Sequence, residues 1–356
     1  MTESDKRRNS MDALRLLAAF FVLVSHGWAL TGHEEHDFVW RITGGAFSAS
    51  WVGLGVFFGL SGYLIDRSAA ASSDWRGFVR RRFLRLWPGL AVVLALSVFA
   101  VGPLFTDLSP WEYFTSPKTW IYLAGLSIWA IRWYLPGVFD QHPFTAMNGS
   151  LWTLPHEVTL YLVTWAIRTR RSFPQGRFLL LGGLLLGLSL RNLVHPWLES
   201  IAFRPLLLSM PHFYDFALFY LTGSCVSRFS AMTRTTWSIL GSAMVLWLVF
   251  HGDPGVRRVL EFVVIPLAAI RVGSLRIPPL DQLHRLGDFS YGVYIWGWPA
   301  QQALIHFVGL DRIGPVGLAF WAFVICLPLA ALSWHFVEKP SLARKDRPIR
   351  IGPFSL

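Results

Sequence analysis

The sequence predicts an all-α integral membrane protein: a bundle of about ten transmembrane helices plus one interfacial or re-entrant segment, with both termini cytoplasmic. Three observations carry this expectation. The chain of 356 residues is 53% hydrophobic and only 15% charged, whereas a soluble domain carries about a quarter charged residues. Several apolar runs reach the roughly 20 residues that a helix needs to cross the hydrocarbon core. The net charge of +11 is spread unevenly along the chain. This composition excludes a soluble enzyme, a disordered chain and a secreted disulfide scaffold. Cys225 and Cys326 lie far apart in apolar segments and make neither a disulfide framework nor a zinc pattern.

The ten crossings are expected at 11–31, 46–66, 86–105, 150–168, 177–191, 212–228, 236–251, 256–272, 286–308 and 315–337. The first follows Lys6-Arg7-Arg8 and resembles a signal peptide, but it carries Arg15 and His26 and no small-residue cleavage site follows. The second holds Phe57-Phe58-Gly59-Leu60-Ser61-Gly62-Tyr63, whose small residues let helices approach closely. The third follows a run of arginines, and the fourth opens at Ser150 after Asn148-Gly149. The fifth, from Arg177 to Arg191, is short. The ninth holds Tyr291 and Tyr294, and the tenth closes on Glu338-Lys339-Pro340. A single transmembrane domain thus spans 1–340, with a short basic cytoplasmic tail over 341–356.

Charge placement tests this map. With the N-terminus inside, 23 of the 32 Lys and Arg fall in inner segments and 8 in outer ones, Arg15 lying within the first span. Basic loops on the cytoplasmic side explain the positive balance without nucleic acid as a partner. One apolar stretch, Trp120–Leu135, sits between two outer segments, and a crossing there would invert every later loop. Its aromatics (Trp120, Tyr122, Trp129, Trp133, Tyr134) suit a headgroup-level or re-entrant piece.

Ionisable groups inside a bilayer are costly and need a reason. Arg15 and His26 are 11 residues apart, three helical turns plus about 20°, so they share one face with roughly 16 Å between them along the axis. A snorkelling Arg15 with a hydrogen-bonded core His26 fits this spacing as well as a functional pair does. Glu157 and Tyr161 share a face four residues apart. Glu157 lies roughly 10 Å and His26 roughly 7 Å from the outer ends of their helices, so both reach similar depth. Arg82 and Arg85, within Arg80–Arg85, share a face on the cytoplasmic side. Positive-inside topology, anionic headgroups or a phosphate-rich cytosolic ligand would each account for them. The outer loop His33-Glu34-Glu35-His36-Asp37 is equally readable as surface charge or as a metal site.

In this order the motifs resemble those of the membrane-bound acyltransferase 3 family, bacterial O-acyltransferases that modify glycans. The resemblance runs from about Arg8 to Pro340. It rests on Arg15-x10-His26; on Phe57, Phe58, Leu60, Ser61, Gly62 and Tyr63; and on Arg82-x-x-Arg85. It rests also on Leu151, Trp152, Thr153, Leu154 and Glu157; on Ser290, Tyr291, Tyr294 and Trp296; and on Glu338-x-Pro340. Gly297 departs from the pattern, standing where members often have a histidine, whose role is then either vacant or supplied elsewhere, for example by His306 or His156. Many members also carry an esterase-like C-terminal domain, which the short stretch after Pro340 does not provide, so the protein is expected to act alone or with a separate partner.

The resemblance implies cytosolic acyl-CoA, usually acetyl-CoA, as donor substrate, with no tightly bound cofactor and no metal. It implies a hydroxyl of a glycan or lipid-linked saccharide as acceptor, in the bacterial cytoplasmic (inner) membrane. Arg82 and Arg85, with Ser61 and Tyr63, are expected to hold the donor, and Trp152, Tyr161, Tyr291 and Tyr294 the substrate. His26 is expected to act as general base or acyl carrier, helped by Glu157 and Arg15. Membrane lipids and a second copy of the chain are further expected partners. Two other readings stand beside this one. Intramembrane His, Arg and Glu also suit a proton-coupled transporter or flippase, and a non-catalytic membrane subunit would need none of them.

Overall fold

The computed structural model describes residues 9–33, 36–72, 74–169, 176–189, 209–228, 234–250 and 252–345. Among them the regular structure is helical, with one isolated bridge between Thr106 and Val138 in place of any strand. Ten long helices occupy the ten expected stretches: α1 (Met11–Leu30), α2 (Ala49–Ala70), α3 (Trp75–Leu96), α4 (Leu154–Thr169), α5 (Gly176–Ser189), α6 (Met210–Val226), α7 (Arg234–Val249), α8 (Pro254–Ser274), α9 (Ser290–Val308) and α10 (Pro315–Ser333). Among the described residues, four spans are long and apolar enough to cross a membrane: Met11–Leu30, Ala49–Ala70, Trp75–Phe105 and Pro315–Leu342. The third differs from the expectation. The arginine run does not precede the helix but forms its first three turns, because Asp74 caps the backbone N–H of Gly77 at 2.6 Å and starts α3 at Trp75. The arginines are therefore held on a rigid helix rather than a loop.

Local chemistry sets the other helix ends. Ser48 caps α2 through Trp51 N, and Asp253 caps α8 through the N–H groups of Gly255 and Val256. Proline in the first turn opens α6, α8 and α10, where its missing N–H leaves nothing unsatisfied. Asp37 is not surface charge. It is fully buried and accepts from Ser25 Oγ at 2.5 Å, Ala49 N at 2.7 Å and Trp40 N at 3.0 Å, tying the 31–48 loop to α1 and α2. Glu34 and Glu35 of that loop lie outside the described residues, among which there is no metal-ligand cluster.

At the centre α2 packs against α1, α4, α6 and α8, and α1 also packs against α9 and α10. A Cβ at Gly62 would lie 1.9 Å from Tyr220 O, and one at Gly223 would lie 2.0 Å from Gly59 O, so α2 and α6 meet backbone to backbone. The stretch expected to be interfacial does not form a long helix. Its first part lies in two short turns, Pro117–Ile121 and Tyr122–Ser127, which follow a third, Pro110–Thr115, and the chain then runs without regular structure to Gly149. Irregular backbone needs external partners, and α9 supplies and receives some of them. Trp298 Nε1 donates to Ala146 O at 2.9 Å. Pro299 has no N–H to offer Ile295 O, and Asn148 Nδ2 donates to that carbonyl instead, at 2.9 Å.

Candidate active site

Two cavities meet inside the bundle. The inner chamber, about 50 Å³ in volume, is walled by Leu54, Phe57, Phe58 and Ser61 of α2, Leu154, Glu157 and Tyr161 of α4, and Ser290, Tyr291 and Tyr294 of α9, with Arg15, Arg85, Leu86 and Thr153 completing it. The larger vestibule, about 340 Å³, opens at the arginine-bearing end between Ser68, Arg81, Arg82 and Lys345. Arg15, Ser61, Arg85 and Tyr161 line both and form the neck between them.

The neck is an ion network. Asp288 Oδ2 accepts from Arg15 Nη1 at 2.8 Å and from Arg85 Nη2 at 2.5 Å. Arg85 Nη1 donates to Glu338 Oε2 at 2.8 Å, and Ser333 Oγ donates to Glu338 Oε1 at 3.0 Å. Glu338 sits in a π-helical turn at the end of α10, Trp334–Glu338. Such a turn, wider than an α-helical one, is frequent at functional sites. The rings of Tyr291 and Trp334 flank the Arg85 guanidinium with centroids 5.6 and 5.7 Å away. Gly287 carries φ +123°, and a Cβ there would meet the Trp334 ring at 2.1 Å, so only glycine brings the chain to Asp288 along this path. Glu338 thus pairs with an arginine of the basic end of α3. Arg85, expected to face donor phosphates, has both terminal nitrogens turned to carboxylates.

Arg82 is arranged differently. Its Nη2 donates to Ser68 Oγ at 3.0 Å, while its Nη1 is buried with no hydrogen-bond partner among the described residues. Glu157 faces the chamber, where Oε1 accepts from the hydroxyls of Tyr161 and, at 3.3 Å, Ser61. Tyr294 closes the chamber's far end, its hydroxyl donating to Ser150 O at 2.7 Å and meeting Thr153 Oγ1 at 2.5 Å.

Seven residues singled out in the sequence converge on the chamber (Arg15, Ser61, Arg85, Glu157, Tyr161, Tyr291 and Tyr294), and Arg82 joins them at the vestibule. Three do not line either cavity. Tyr63 packs on the α8 side of α2 and accepts from Arg67 Nη1 at 2.6 Å. Trp152 is turned away from the chamber, against His212 at 4.9 Å and Phe216 at 5.5 Å. His26 sits edge-on to Trp298, ring centroids 4.8 Å apart, with Nδ1 buried and unpartnered among the described residues. Trp298 is one turn beyond Tyr294 on α9, so a rise of about 6 Å separates these two levels. No hydrogen bond joins Glu157 to His26 among the described residues; Glu157's partners are Tyr161 and Ser61.

The substitutes for a second histidine also lie elsewhere. His156 is buried, near Trp152 O at 3.1 Å and Ser209 O at 3.4 Å, and His306 stacks edge-on to Phe105. His142, in the loop before α4, lies 6.1 Å from His306, and burial lowers its pKa below the ordinary 6.5. A Cβ at Gly297 would lie 2.5 Å from Leu23 Cδ1, so a side chain there would require the buried end of Leu23 to shift. Sequence reasoning passed over Asp288, Thr153, Ser290 and Lys345 as site residues. For Asp288 a signal existed: arginines at bilayer depth require acidic partners, and Asp288 stands at the mouth of an expected span.

A family model described as an acyltransferase domain matches residues 8–335. An O-acetyl transferase of Shigella phage Sf6 is 28% identical over 349 residues, covering 96% of this chain and 98% of the phage protein. Nodulation protein 10 of Rhizobium leguminosarum bv. viciae is 26% identical, covering 95% of this chain and 94% of that one. A membrane-bound transacylase of Komagataeibacter xylinus is 26% identical across 96% of this chain and 84% of its own length. No solved structure matches. The match and the relatives' names decide against a transporter and against a non-catalytic subunit. The apolar helices make this a multi-pass membrane protein, and the chain belongs to the acyltransferase 3 family as an O-acyltransferase.

Proposed function

We propose that the protein moves an acetyl group from cytosolic acetyl-CoA to a hydroxyl of a glycan or glycolipid at the far side of a bacterial cytoplasmic membrane, through ten crossings with both ends inside. The observation that carries this reading is the two-part cavity: a basic vestibule leading through a neck to a small, hydroxyl-lined chamber. The unpartnered Nη1 of Arg82 suits a phosphate oxygen, which guanidinium geometry matches well. A chamber of about 50 Å³ suits a short acyl group rather than a long chain.

In this mechanism the donor's phosphates rest in the vestibule and its thioester enters the chamber. The acceptor arrives on the His26 side. His26 takes the proton of the acceptor hydroxyl, a role suited to imidazole. The hydroxyl oxygen attacks the thioester carbonyl, the C–S bond breaks, the coenzyme A thiolate takes up a proton from water, and protonated His26 returns its proton to water. Glu157, with Tyr161 and Ser61, forms the polar wall facing the thioester. Donor and acceptor meet where the Tyr294–Thr153 contact stands, so that contact must part during turnover.

The test uses inverted membrane vesicles given acetyl-CoA labelled in the acetyl group. Wild-type protein is expected to place label in glycan, releasable by mild alkali as an ester. The same incorporation by His26→Ala vesicles would remove His26 from the mechanism. No label above that of vesicles without the protein would remove the donor assignment.

A further inference from the structure

Resting on the donor reading above, we infer that Asp288 is the positioning residue of the donor passage. By bridging Arg15 and Arg85 it fixes the neck through which the donor's thioester arm passes, while the phosphates stay behind with Arg81, Arg82 and Lys345.

The four neck residues belong to four separate helices, α1, α2, α3 and α4, and among the described residues Asp288, at the entry to α9, is the one group that joins both neck cations. Asp288 Oδ2 holds Arg15 from one side and Arg85 from the other. Its second oxygen is fixed from its own helix, accepting from Ser290 N at 3.2 Å and from the Ser290 hydroxyl. Arg85 is further fastened by Glu338 and by two aromatic rings. A guanidinium held at this many points has no freedom to follow a ligand phosphate. It is a wall element whose charge is already matched.

The vestibule cations differ. No carboxylate lies within salt-bridge distance of Arg82 or Lys345 among the described residues, and Arg81 donates to the Ser72 hydroxyl rather than to an acid. A nucleotide bisphosphate therefore finds its charge partners before the neck, and only a ligand with a long arm reaches past Asp288. This division makes the role of Asp288 separable from general stability. Loss of fold would weaken every ligand, whereas loss of the neck would weaken only the ligand that threads it.

The experiment measures binding to the purified full-length protein in lipid nanodiscs by titration calorimetry, with two probes. Adenosine 3′,5′-bisphosphate stops in the vestibule, and coenzyme A also fills the neck. Asp288→Asn is expected to weaken coenzyme A about tenfold, the size of one hydrogen bond to a charged group, and to leave the bisphosphate within about twofold. Asp288→Glu, which keeps the charge, is expected to recover most of that affinity. Ser290→Ala serves if Asp288→Asn does not fold. It frees one Asp288 oxygen with every charge in place, and about a threefold loss for coenzyme A alone is expected. Equal losses for both probes, or no loss for either, overturn the assignment. If the wild-type protein binds neither probe, the donor reading itself has failed, and this inference falls with it.

Discussion

The vestibule and the inner chamber share the neck and use the same residue type in opposite ways. In the vestibule, Arg82 keeps a buried nitrogen without a hydrogen-bond partner among the described residues, beside a space of about 340 Å³. Three residues on, one turn away, Arg85 has its nitrogens on Asp288 and Glu338 beside a space of about 50 Å³. Buried charge that is fully paired contributes geometry, because breaking it strands the partner. Buried charge that is left open contributes affinity for an anion. Two arginines that look equivalent in sequence thus divide into one that shapes the passage and one that greets a ligand.

Substitutions sharpen that division, beginning with the largest effect. Removal of the imidazole in His26→Ala is expected to lower the transfer rate by about 10²- to 10⁴-fold, the usual contribution of a positioned acid or base, with coenzyme A binding kept. Kinetics at saturating donor check this. Arg85→Ala is expected to act on stability first. It leaves Glu338 without its ion-pair partner, and breaking a buried pair costs about 3–5 kcal/mol, read as a lower unfolding temperature in detergent. Arg82→Gln should leave folding intact and weaken coenzyme A about tenfold, the scale of a charged hydrogen bond. Lys345→Gln should weaken it only about twofold, an effect expected to fade in high salt because exposed charges are screened. Should Arg82→Gln destabilise the fold and Arg85→Ala spare it, the contrast between the two regions would be reversed.

Much of this architecture was legible in the sequence. Apolar runs marked the stretches that become α1 to α10, and the intramembrane polar residues marked half of the chamber wall. What was not legible is pairing across the chain. Arg85 meets Asp288 and Glu338 at separations of 203 and 253 residues, and no local period encodes which acid reaches which arginine. The depth estimate for His26 and Glu157 was likewise incomplete. Helical rise gives height within the bundle, but not which helix stands between two residues. Here Tyr294 and Trp298 of α9 occupy the places next to Glu157's chamber and His26. Tyr63 shows the same limit, since a motif's residues point around the helix and its hydroxyl is held by Arg67 outside either cavity.

A structure of the protein with coenzyme A bound tests the central claim most directly. The two-part site predicts the phosphates against Arg81, Arg82 and Lys345, Arg85 still joined to Asp288 and Glu338, and the thiol inside the chamber near Glu157. Phosphates seated on Arg85, or a thiol pointing to the lipid or away from the chamber, would contradict it.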